Sequence, residues 1–264
     1  MTKIDQTLSK LDRPALVTFI TAGDPNHDTS LNVLKTLPDA GADIIELGMP
    51  FTDPMADGPT IDLASQRALA SGADMHKTLD MVREFRKENT ETPLILMGYI
   101  NPVRAFGIET FCETASKAGV DGLIIVDCPP EESEELEAAS KANDLNLIRL
   151  VTPTTDEARL SKLLQGASGF LYYVSITGVT GAKKADLSEI TPHIASIKKQ
   201  SNMPVAIGFG IKTPEDAANF GKIGDAVVVG SSIVQTIADN ADSPDLVQKV
   251  TSQVSALADS LKNL

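Results

Sequence analysis

The chain has 264 residues, 42% apolar and 22% charged, an ordinary globular composition at a length that α/β barrels fill as one unit. Its 23 basic and 36 acidic residues give a net charge of −13, which excludes nucleic acid and anionic membrane as partners, because both need clustered positive charge. Two cysteines (Cys112, Cys128) without a CxxC or HxxxH companion exclude a disulfide framework and a zinc ribbon, and only three scattered histidines (His27, His76, His193) leave proton transfer to carboxylates or tyrosines.

In chain order, residues 1–11 mix Lys, Asp, Gln and Ser with isolated apolar residues and carry no signal-peptide core, and no apolar run reaches the ~18 residues of a membrane span. A soluble, cytoplasmic protein is expected. Short apolar runs then recur at 15–20, 43–48, 94–97, 122–126, 145–151, 170–174, 205–208 and 226–230. They show little alternation, as strands covered on both faces do. Stretches of helical period lie between them, among others at 29–37, 75–87, 109–117, 132–142, 156–164 and 214–220. Eight strand–helix units in this length predict an α/β fold, a (β/α)8 TIM barrel forming a single domain over 1–264. Thr21-Ala22-Gly23-Asp24-Pro25 after the first strand is not GxGxxG, and GxxxxGK[ST] is absent, so no dinucleotide or P-loop site is expected.

Two connections are long, 49–60 after the second strand and 175–187 after the sixth. Both follow strand C-terminal ends, the catalytic face of a barrel. Glu46 interrupts an apolar strand just before the first of them. It either faces the barrel mouth, where apolar neighbours would raise its pKa, or forms a structural ion pair with a neighbouring strand. Both readings stay open at this point. Asp53 and Asp57 follow in a proline-stiffened loop, as anchored carboxylates or as turn formers, the latter weighing more for Asp53.

Gly208-Phe209-Gly210-Ile211 ends the seventh strand, and Gly230-Ser231-Ser232 ends the eighth and opens an apolar helix. Glycine loops and a helix N-terminus at these two strands favour a phosphorylated substrate, with Thr180-Gly181 able to supply a further amide. The segment 175–184, with two Gly and two Thr, has the composition of a closing lid. Of Tyr172 and Tyr173 only one can face inward. The run 131–137, with five Glu, reads as a solvated first helical turn complementing the helix dipole.

The phrase Glu46-Leu47-Gly48-Met49-Pro50-Phe51-Thr52-Asp53-Pro54-Met55-Ala56-Asp57-Gly58-Pro59 resembles the tryptophan synthase α subunit family. So do Thr21 to Pro25, Met97 to Pro102, Asp127 to Pro130, Gly178 to Gly181, Gly208 to Ile211 and Gly230-Ser231. The resemblance spans almost the whole chain. It implies a TIM barrel with an extra N-terminal helix and a lyase that splits indole-3-glycerol phosphate into indole and glyceraldehyde 3-phosphate by a retro-aldol reaction. It assigns the proton transfers to Glu46 and the indole N–H to Asp57. It places Phe19, Tyr99, Ile124, Tyr172 and Phe209 about the ring, and Gly181, Gly210, Gly230 and Ser231 at the phosphate. Asp53 and Thr180 would join on lid closure, while Ile176-Thr177 stands where some relatives carry Arg.

The resemblance further implies an α2β2 complex in which indole passes to a β subunit, with Pro50 and the Asn101 region facing it. Pyridoxal phosphate belongs to that partner, and this chain is expected to hold no cofactor. Two alternatives remain: a sugar-phosphate isomerase or epimerase on the same fold, against which Glu46 with Asp57 discriminates, and a non-catalytic activating subunit, against which the full site speaks.

Overall fold

The computed structural model describes residues 1–174, 187–208, 210–262 and 264. The chain opens with α1 (Lys3–Lys10), started by a capping box in which Thr2 Oγ1 accepts from the Asp5 N–H and the Asp5 carboxylate accepts from the Thr2 N–H. There follow β1 (Ala15–Thr21), α2 (His27–Thr36), β2 (Ile44–Gly48), α3 (Pro59–Ala70), α4 (Met75–Arg86), β3 (Leu94–Gly98), α5 (Ile100–Phe106), α6 (Ile108–Ala118) and β4 (Gly122–Ile125). The second half holds α7 (Glu134–Ala142), β5 (Asn146–Leu147), β6 (Arg149–Val151), α8 (Glu157–Leu163), β7 (Leu171–Val174), α9 (Leu187–Ser201), β8 (Val205–Gly208), α10 (Pro214–Gly221), β9 (Ala226–Val229), α11 (Ser231–Asp239) and α12 (Leu246–Leu261).

Every strand pair is parallel, in the order β5-β4-β3-β2-β1-β9-β8-β7-β6. The run 145–151, expected as one strand, is divided at Ile148. Its first half pairs with β4 and its second with β7, so β5 and β6 are one strand position that closes the sheet into a (β/α)8 barrel. The division follows from closure: the stagger of a barrel sets the two neighbours of a strand at different heights along it. β1 is buried at all seven residues, the double coverage that its unalternating sequence predicts.

Inward side chains such as Val17, Ile95, Ile124, Ile148, Ala206 and Val228 fill the barrel, and Ile4 of α1 seals its N-terminal end. Outward side chains and the helices make the larger outer core. At the sealed end the strands are joined in four reciprocal pairs. Leu16 N–H donates to the Asp43 carboxylate and Asp43 N–H donates to Leu16 O; Leu94 with Asp121 and Val205 with Asp225 repeat the exchange at 2.7–2.9 Å. Leu147 with Ser168 makes the fourth, the Ser168 hydroxyl replacing the carboxylate. Each aspartate also meets a cation: Arg13 on Asp43, Arg86 and Lys3 on Asp121, Lys198 on Asp225.

The acidic run 131–137 gains one feature beyond its expected place at a helix start. Glu134, Glu135 and Glu137 do lie in the first turn of α7. Glu137, half-buried, also has a structural partner: it pairs with the buried Arg149 of β6, which donates as well to the Ser133 hydroxyl and the Cys128 carbonyl. A guanidinium taken out of water needs such partners.

Candidate active site

At the open end of the barrel a solvent-connected pocket is lined by side chains from β1, β2, β3, β7, β9 and α3. Phe19, Ile61, Met97 and Val228 form its apolar walls. Glu46, Asp57 and Tyr172 face into it, and Gly210, Gly230 and Ser231 form its far rim. A concave, mostly apolar site with a few converging polar groups is the usual form of a small-ligand pocket. Two glycines make room for its aromatic groups. A Cβ on Gly48 would stand 2.5 Å from Phe19 Cζ, and one on Gly208 would meet the Tyr172 phenol. Tyr172 is therefore the inward member of its pair. Tyr173 faces out, its hydroxyl 3.1 Å from His193 Nδ1 on α9.

Glu46 sits on β2 with its side chain wholly buried, and neither carboxyl oxygen has a hydrogen-bond partner among the described residues. The ion pair held open above is absent there. Burial without compensation disfavours the charged form and pushes its pKa up to about 8, so the group holds a proton near neutrality. Asp57 lies in the loop between β2 and α3, shaped by Met55 N–H to Asp53 O and Asp57 N–H to Pro54 O, both 2.9 Å. Burial raises its pKa to about 6, the Tyr99 hydroxyl opposes that by donating to the carboxylate, and Asp62 adds to it. Near pH 7 one pocket thus holds a protonated and an ionised carboxyl. Burial, then the charges of Glu46 and Asp57, raises the Tyr172 phenol and keeps it neutral.

The rim at Gly230 and Ser231 is the N-terminus of α11, with Gly230 at the N-cap and its carbonyl accepting from Ile233 and Val234 at 2.9 and 3.0 Å. The first amides of a helix have no partner within it and carry the positive end of its dipole, which suits an anion. A smaller recess adjoins the pocket. It shares Phe19, Asp57, Ile61 and Met97 and adds Thr21, Ser65 and Tyr99.

Of the expected residues, the pocket brings together Phe19, Glu46, Asp57, Tyr172, Gly210, Gly230 and Ser231, and Tyr99 joins from the recess. Ile124 does not reach it: it is the register partner of Met97 in the sealed interior. Asp53 is exposed, accepting from Thr52 Oγ1, and Asn101 is exposed on α5, while Pro50 is half-buried. Thr180, Gly181, Phe209 and Ile176-Thr177 lie outside the described residues. Sequence reasoning missed Met97, Ile61, Val228 and Ile211 as pocket walls. Alternation along β3 and β9 could have pointed Met97 and Val228 inward, whereas nothing local marks Ile61.

The family model described as tryptophan synthase alpha chain matches residues 6–263. The chain belongs to the tryptophan synthase alpha chain family. It is 40% identical to tryptophan synthase subunit alpha from Legionella pneumophila str. Paris, with a TM-score of 0.93 and 100% of each chain covered. A solved structure from Aquifex aeolicus VF5 is 34% identical, with a TM-score of 0.90 and 99% of each chain covered. Tryptophan synthase from M. tuberculosis in an aminoacrylate-bound form is 28% identical, with a TM-score of 0.88 over 99% of this chain and 100% of that one. For this tryptophan synthase alpha chain family member, no helix among the described residues is long and apolar enough to cross a membrane.

Proposed function

We propose that the chain cleaves indole-3-glycerol phosphate to indole and glyceraldehyde 3-phosphate by a retro-aldol reaction. The observation that carries this reading is the placement, in one pocket of a tryptophan synthase alpha chain family member, of a wholly buried Glu46 without a hydrogen-bond partner among the described residues together with Asp57. Glu46 donates its proton to indole C3, and the ring becomes an iminium whose positive charge Asp57 stabilises beside the N–H. The resulting Glu46 carboxylate takes the proton of the adjacent glycerol hydroxyl. The O–H electrons form the aldehyde carbonyl, the C–C bond breaks, and its electrons return to the ring, which leaves as neutral indole. Glu46 ends protonated as it began, so one residue serves as acid and then as base.

In this reading Phe19, Tyr99, Tyr172 and Phe209 flank the ring, with Ile124 as its support from below through Met97. The phosphate rests on Gly181, Gly210, Gly230 and Ser231. Because the chain is acidic overall, capture of this dianion rests on local amides and the α11 dipole rather than on the global field. Asp53 and Thr180 close the site, excluding water and strengthening the Asp57 field. No cofactor is needed in this chain. Indole passes to a pyridoxal phosphate-dependent β subunit in an α2β2 complex, docked at Pro50 and Asn101, in the cytoplasm; the whole of 1–264 acts as one barrel domain.

The test is release of indole from indole-3-glycerol phosphate by the purified chain, alone and with a β subunit. Turnover is expected in both, faster with β, and no indole in either refutes the reading. Glu46→Gln should abolish release while a substrate analogue still binds.

A further inference from the structure

We infer that Tyr99 is a positioning residue that latches the loop carrying Asp57 onto the end of β3 and so fixes that carboxylate in the pocket. The inference rests on the role given to Asp57 above. Tyr99 directly follows β3 and is 3% exposed. Its phenol oxygen accepts the Ala56 N–H at 3.0 Å, which leaves its own proton to face the Asp57 carboxyl, with which Tyr99 lines one recess and whose ionised form it favours. One hydroxyl therefore holds the backbone of one loop residue beside the carboxyl of the next. Its ring lies 5.5 Å from that of Phe51, where the loop leaves the barrel. The following amide, Ile100 N–H, donates to the Asp127 carboxylate at 2.8 Å, which fixes Tyr99 itself to the loop after β4.

The remaining contacts show why this latch matters. Thr52, Asp53, Met55 and Ala56 are exposed. Among the described residues, the hydrogen bonds of residues 51–57 run within the loop except those to Tyr99. The groups facing Asp57 are Tyr99 from β3, Asp62 from α3, and Glu46 of β2 and Tyr172 of β7 across the pocket, with Asp127 beside Tyr99. None is a cation. Among the described residues the Tyr99 hydroxyl is thus the group that favours the ionised carboxylate, against burial and Asp62.

Tyr99→Phe removes the hydroxyl and keeps the ring packing on Phe51; Tyr99→Leu removes both and serves as the packing control. In the full-length chain without substrate, the Asp57 carboxyl is followed by NMR titration and assigned by comparison with Asp57→Asn. Its midpoint is expected to rise by about one pH unit in both variants, the scale of losing one donor to a carboxylate. With substrate, kcat at pH 7 is expected to fall about tenfold with KM changed less than about threefold, and the acidic limb of the rate profile to move with the titration. An unmoved Asp57 midpoint in Tyr99→Phe overturns the inference, as does a Phe variant with wild-type rate and profile, because either leaves only ring packing to Tyr99. If the wild-type chain releases no indole, the proposed function fails while the substrate-free titration still decides the latch.

Discussion

The two ends of the barrel treat the same functional group in opposite ways. At the sealed end, Asp43, Asp121 and Asp225 each accept a backbone N–H and meet a cation. At the open end, Glu46 is buried with neither among the described residues, and its proton stays on. A carboxyl surrounded by donors stabilises the fold as an anion, whereas one denied them destabilises the fold as an anion and becomes a proton store. The difference marks one end as support and the other as chemistry, in line with the division of labour in barrels.

The sharpest way to break this comparison is Glu46→Gln. With a folded pKa of about 8 against an ordinary 4.5, the native state binds more protons than the unfolded state between those values. Stability therefore falls as pH rises through that window. The amide does not ionise, so the variant is expected to be about as stable as wild type near pH 4.5, about 3 kcal/mol more stable at pH 7 and about 5 above pH 8. Urea unfolding at several pH values checks this, and a variant no more stable at pH 8 than at pH 5 relative to wild type rejects the unpaired, protonated Glu46.

Asp121→Asn is the mirror experiment. It removes the counter-charge of Arg86, 11% exposed, which keeps only its carbonyl partners, and weakens the hold on Leu94. A loss of about 3 kcal/mol is expected, as for breaking a buried pair, with kcat of the folded protein unchanged. A fall in kcat without loss of stability would blur the two ends. Gly48→Ala has a smaller expected cost, about 1–3 kcal/mol, since the new methyl displaces the Phe19 ring; it should raise KM for substrate, measured by steady-state kinetics. The smallest effect is in the wild-type profile. With Asp57 ionising near 6 and Glu46 near 8, kcat/KM should be bell-shaped and about half-maximal at those two pH values. A rate still rising above pH 9 would contradict protonated Glu46 as the starting acid.

Much of this was legible in the residues. Eight apolar runs without alternation announced the barrel, and a glutamate inside one of them announced the site, because burial of a carboxyl is costly wherever it points. The split of the fifth strand was not legible, since closure depends on partners far along the chain. The Glu137–Arg149 pair escaped for the same reason: Arg149 arrives from the next strand, and only packing reveals that the acidic run supplies the partner of a buried guanidinium. Tyr99 was read as a neighbour of the ring. That its hydroxyl reaches back 43 residues to Ala56 is a tertiary fact.

The four reciprocal joints also describe how the barrel can be put together. They link residues 27, 27, 21 and 20 positions apart, each tying an odd-numbered strand position to the next even one and none reaching beyond its own strand–helix–strand segment. Closing so short a span costs little chain entropy. As the polypeptide emerges from the ribosome, each joint can form once its own segment is out, the first three before the strand that closes the ring, β9, exists. Vectorial synthesis thus meets a barrel divided into four consecutive modules, and the cross-barrel pocket holding Glu46 and Ser231 is completed only with the last of them.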